Sequence, residues 1–172
     1  METNAIKPGK FAWTFGILLG VAQMIFSFML YTMDMQYEQG LAIKIVPGIL
    51  LLIAVVVAVF QFKKANGGFL KIGDALKLGA GIGLIGAVLG ILYFLFHANV
   101  LEPEYMDNML EIGRQQLLAQ NPKLTAEDAD KMMEMQKSFA WVGYGILIIF
   151  NIIIGLVIGL ITGLIMKKEN PV

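Results

Sequence analysis

Four stretches of this chain, at about 11–32, 41–62, 76–100 and 142–166, contain no Asp, Glu or Arg. A helix of about 20 apolar residues crosses roughly 30 Å of hydrocarbon. Backbone placed in lipid must satisfy its own hydrogen bonds, so helix is the form such stretches take. Their only lysines, Lys44 and Lys77, sit near ends where long stems reach the interface. A water-soluble bundle needs more polar sequence than a 58% hydrophobic chain leaves for its surface. The expected fold class is therefore an all-α membrane protein with four transmembrane helices, forming one membrane domain over 1–172. The first stretch is expected to be a retained span rather than a leader. It is too long for a signal core, Glu2 precedes it, and no small-x-small site precedes "YTMDMQYE".

Lysine counts in the connections set the expected orientation. Lys7 and Lys10 precede the first span, and Lys167 and Lys168 follow the last. Between the second and third spans stand Lys63, Lys64, Lys71 and Lys77 against Asp74 alone. The first connection has Asp34 and Glu38 and no base, and the segment after the third span has eight acidic residues against four basic ones. Both termini are thus expected in the cytoplasm, with the segment at about 101–141 outside.

The spans are rich in glycine. Without a hydrophobic drive between helices in lipid, association depends on close backbone approach, which small residues permit. Asn151, Gly155, Gly159 and Gly163 step by four and form a slanted stripe, drifting about 40° per step. Gly79, Gly83, Gly86 and Gly90 alternate steps of four and three and stay within roughly a 60° arc. Ala12, Gly16, Gly20, Gln23 and Ser27 follow the same alternation on the first span. Each stripe is expected to be a helix-packing seam, some of them facing a second copy or another protein. The second span, "ILLLIAVVVAVF", is the large-residue partner, with Pro47 expected near its first turn.

The segment after the third span reads as an external helical hairpin. Met106, Met109, Leu110, Gly113 and Leu117 recur at helical spacing. Pro103 is expected in the first turn. "NPK" ends this arm, and Thr125 with Asp128 three residues on opens a second by a capping box. Met132, Met135, Phe139 and Val142 carry its apolar stripe nearly without interruption into the fourth span. Five methionines here, with His97 expected near the same surface, raise a Cu(I) reading. Methionine as a flexible gap-filler is the plainer reading.

Little catalytic chemistry is on offer. There is no Cys, one His and one Arg, and the only serines are Ser27 and Ser138. Intramembrane polar groups are Gln23, Ser27, Asn151 and Thr162, with no carboxylate for a proton relay. "GAGIGLIG" lacks the strand and lysine of a nucleotide loop and falls inside a span. The net charge of zero gives no pull toward nucleic acid. No enzyme activity, cofactor or metal is expected, and membrane lipids are the expected surroundings.

At "KKANGGFLKIGDALKLGAGIGLIGAVLGILYFL", followed by "EPEYMDNM" and later "GYGILIIFNIIIGLVIGLI", the chain resembles the family catalogued as domain of unknown function 4199. That family comprises four-span proteins found largely in Gram-negative bacteria. Its lysines, N-G-G turn and D/E-A ending correspond to Asn66, Gly67, Gly68, Asp74 and Ala75 here. The resemblance implies a bacterial inner-membrane location and carries no activity or catalytic residues. On the residues themselves, Gly67 and Gly68 permit positive φ in the cytoplasmic turn. Phe69, Leu70 and Ile72 are expected to dip into the interface while Lys63, Lys64 and Lys71 meet anionic head groups. A docking or regulatory role for this turn is the alternative.

The expected function is a non-catalytic accessory or scaffold subunit of a membrane assembly, acting by association with other subunits or with itself. The alternatives are a small oligomeric channel or transporter with Gln23, Ser27, Asn151 and Thr162 along one wetted path, or a copper- or lipid-handling protein.

Overall fold

The computed structural model describes residues 6–168, so Glu2 and both extreme ends of the chain lie outside the described residues. Among these residues are α1 (Pro8–Thr32), α2 (Leu41–Ala65), α3 (Ile72–Phe96), a π-helical turn (His97–Leu101), α4 (Tyr105–Gln120), α5 (Ala126–Ser138) and α6 (Ala140–Met166). There is no strand among them, only one antiparallel bridge between Leu70 and Lys168. Four helices are long and apolar enough to cross a membrane: α1, α2, α3 continued to Leu101, and α6. The 25 residues of α2 extend about 37 Å, ample for the hydrocarbon thickness. The chain divides into two compact units, one running to Gly90 and resuming at Leu147, the other Ile91–Ile146.

In the first unit α2 buries Leu51, Val55, Ala58, Val59 and Phe62, a single face at steps of three and four. These pack with Leu78 and Ile82 of α3 and Ala12, Phe15 and Leu19 of α1. Phe11 stands edge-on to Phe62, with ring centroids 5.6 Å apart, tying the start of α1 to the end of α2. The outward faces are apolar as well, with Leu18, Ile25, Ile53, Phe60, Ile161 and Ile165 exposed. In water such a surface is an aggregation site, whereas lipid tails solvate it. Pro47, expected near the first turn of α2, is the seventh residue of the helix and lies inside it. Its missing N–H removes the bond that would reach the Ile43 carbonyl, and the helix continues past it.

In the second unit α4 begins at Tyr105, so Pro103 precedes the helix instead of occupying its first turn. Thr125 caps α5, its hydroxyl oxygen accepting from Asp128 N at 3.1 Å. Arg114 pairs with Asp130 and Lys137 with Asp107, which sets α4 and α5 antiparallel. One residue, Phe139, separates α5 from α6.

Candidate functional site

α3 is the helix on which α1 and α6 both close. Toward α6, a Cβ placed on Gly79 would land on the carbonyl oxygen of Gly155, and one on Gly83 on that of Asn151. A Cβ on Gly159 would stand 2.5 Å from the Ala75 oxygen, and one on Gly163 would stand 2.8 Å from the Ala75 Cβ. The pairs 83/151, 79/155 and 75/159 place two helices backbone to backbone in antiparallel register. Steps of four on both sides are the spacing of small-xxx-small crossings. Toward α1 the pairs run parallel: a Cβ on Gly16 would stand 2.6 Å from that of Ile85, and one on Gly20 would stand 2.5 Å from the Leu89 Cδ1. On α3 itself a Cβ at Gly86 would stand 2.6 Å from the Leu19 Cδ2, while Gly90 has only Gln23 Oε1 near, at 3.8 Å. The stripe of Gly79, Gly83, Gly86 and Gly90 therefore serves two neighbours, its first half α6 and its second half α1. All of these contacts lie inside the chain.

The polar groups within the spans are placed separately. The Asn151 amide donates to Leu147 O one turn back in α6. Thr162 is buried, beside the Gly163 that meets Ala75 and Ile72. Gln23 stands beside Gly90, fifteen residues along α3 from Ala75, which is about 22 Å of helix. Ser27 is half-buried on α1, one turn beyond Gln23.

The turn after α2 is a clasp. Gly67 and Gly68 adopt φ of 68° and 87°, the left-handed region that glycine enters without a Cβ clash. The Asn66 amide donates to Phe69 O. This geometry turns Leu70 back, where its N–H donates to Lys168 O at 2.9 Å and its carbonyl accepts from Lys168 N at 3.2 Å. Lys63 Nζ donates to Met166 O at 2.7 Å, satisfying one of the carbonyls left open at the end of α6. Two expectations are corrected here. Leu70 is fully buried in the protein core instead of dipping into the membrane interface. Lys63 is directed to a helix end within the chain, because the α6 carbonyls lie within its reach. Asp74 falls in the first turn of α3, where a carboxylate complements the helix dipole.

A cluster at the π-helical turn has no counterpart in the residue spacing. Glu102 N donates to His97 O at 2.9 Å, the i+5 bond of a π turn. That wider turn brings the His97 Nε2 and Glu102 Oε2 to 3.3 Å. In an α-helix residues five apart point away from each other, so the spacing in "HANVLE" carried no signal. The Tyr105 ring meets the imidazole edge-on at 4.9 Å, and Phe94 packs on both Tyr105 and Tyr144. Burial, and secondarily the Glu102 charge, push the Tyr105 hydroxyl above its ordinary 10.0. The arrangement sets an imidazole against a carboxylate beside an aromatic wall. His97 is 5% exposed, so it does not share an open surface with the methionines, as the copper reading requires. Met132 and Met135 are exposed on α5, and Met133 lies against Gly113 of α4 as packing.

Four long apolar helices, outward faces that only lipid tails solvate, and small-residue contacts between spans define a multi-pass α-helical membrane protein. The chain belongs to one family: the family model described as Protein of unknown function (DUF4199) matches residues 14–168. No curated protein and no solved structure matches the chain.

Proposed function

We propose that this is a non-catalytic protein of a bacterial inner membrane, with both termini cytoplasmic, that acts as an accessory or scaffold subunit by association through its α4–α5 pair. The orientation is supported by the lysines gathered before α1, after α2 and after α6, and by the acidic excess between α3 and α6. The observation that carries the association reading is how little the pair buries. No residue of α4 and only Ala129 of α5 is buried, and Met132, Met135 and Phe139 stand 44–57% exposed. Apolar groups left open on a segment outside the hydrocarbon mark a partner surface. Because the glycine contacts are used within the chain, association falls to this pair rather than to the seams.

A photoreactive amino acid at Met135, activated in intact cells, tests this. One reproducible protein adduct, identified by mass spectrometry and lost with a Met132→Glu substitution, is the expected result. Adducts to lipid alone, together with a native mass of a single chain, contradict the reading.

A further inference from the structure

Where α1 begins and α2 ends, the first unit contains a cavity of about 840 Å³. Phe11, Phe15 and Leu18 give it apolar walls, and Lys7, Lys10 and Gln61 line it as well. A second cavity of about 740 Å³ shares Phe11 and Gln61 and adds Phe60 and Lys64. Both stand open along one side as grooves, with volumes in the range of small-molecule sites. Among the described residues no carboxylate lines either one. Lys7 is also the N-cap of α1, with no side-chain cap and no acidic residue in the first turn. The partial positive charge of that helix end therefore adds to the ammonium groups. Concentrated charge of one sign calls for a counter-ion, and the apolar walls beside it exclude a fully hydrated one.

We propose that this groove between α1 and α2 is a binding site for one anionic phospholipid. The phosphate sits beside Lys7 and Lys10, and one acyl chain lies along Phe15 and Leu18, with Lys64 and Phe60 lining the adjoining groove. A free anion would neutralise the lysines and leave the apolar wall open. A zwitterionic lipid would fill the wall and leave the excess charge. An anionic lipid satisfies both. The lysines stand at the ends of spans, which is the depth at which head groups lie. The site does not depend on any protein partner.

The test uses the full chain in detergent with phosphatidylglycerol or phosphatidylcholine of identical acyl chains, read by native mass spectrometry. One retained phosphatidylglycerol per chain is expected, favoured over phosphatidylcholine. Its binding should weaken roughly fivefold for each lysine removed in K7Q and K10Q. Leu18→Trp, at an exposed position, should also reduce it by filling the wall. K71Q/K77Q, which alters exposed lysines outside the groove, should leave it unchanged. Equal retention of the two lipids, equal loss in K71Q/K77Q, indifference to Leu18→Trp, or displacement by millimolar inorganic phosphate would each overturn the proposal.

Discussion

At Gly79 the place where a methyl group would go is already held by the carbonyl oxygen of Gly155, and a helix backbone cannot step aside as a side chain can. Gly79→Ala should force α3 and α6 apart and cost about 1–3 kcal/mol, as overpacking does. At Gly48, in the span α2, nothing lies within 4 Å of the added carbon. Gly48→Ala should be neutral or stabilise by about 0.5–1 kcal/mol. Thermal unfolding in detergent compares the two, and equal midpoints would contradict the backbone contact. Tyr105 offers a second residue-scale check. Burial and then the Glu102 charge raise its folded pKa above that of the unfolded chain. The corresponding stability is fully present below pH 10 and is lost as pH climbs through the folded value. The ultraviolet titration of wild type minus Tyr105→Phe should show a phenol ionising above 10.0, moved down but still raised in Glu102→Gln. Ionisation at or below 10.0 would refute the buried setting. That glycine stripes exist was legible in the sequence, since spacing alone places residues on a helix face. Which helix each stripe meets was not, because an angle on one helix does not name its neighbour. The pairing of His97 with Glu102 was hidden for a related reason: it exists only where an α-helix widens by one residue.

Among the elements, the connection from α2 to α3 does more than turn the chain. Its fold depends on Gly67 and Gly68 entering the left-handed region, after which Leu70 meets Lys168 and Lys63 closes the end of α6. Lys63→Met should remove that closure while keeping the length of the side chain. Hydrogen exchange at the Leu70 amide should then quicken, with the middle of α2 unchanged. An unaltered rate at Leu70 would show that the clasp does not depend on Lys63. Span limits were legible to within a few residues, because long apolar runs in lipid leave helix as the one solution. The α1 start at Pro8 and the α6 start at Ala140 each fall within three residues of expectation. The burial of Leu70 was not legible. A short apolar run beside lysines has the composition of an interfacial segment, and only the return of the chain after α6, at Lys168, turns it inward.

For the whole molecule, lipid solvates the outer faces, and the proposed orientation puts the basic connections on one side of the membrane and the acidic segment on the other. The exposure of Ile53, Phe60, Ile161 and Ile165 gives the first part its physical basis, and the lysine distribution gives the second. The chain contains no cysteine, so single cysteines can be introduced without a background. Gly68→Cys is a poor probe because of its φ of 87°, but Lys71→Cys and Met132→Cys fall at exposed positions. The most direct measurement is labelling of these two variants in intact cells with a membrane-impermeant maleimide. Modification of Met132→Cys before permeabilisation, and of Lys71→Cys only after it, is the predicted result. Labelling of both in intact cells, or of Lys71→Cys alone, would contradict the account.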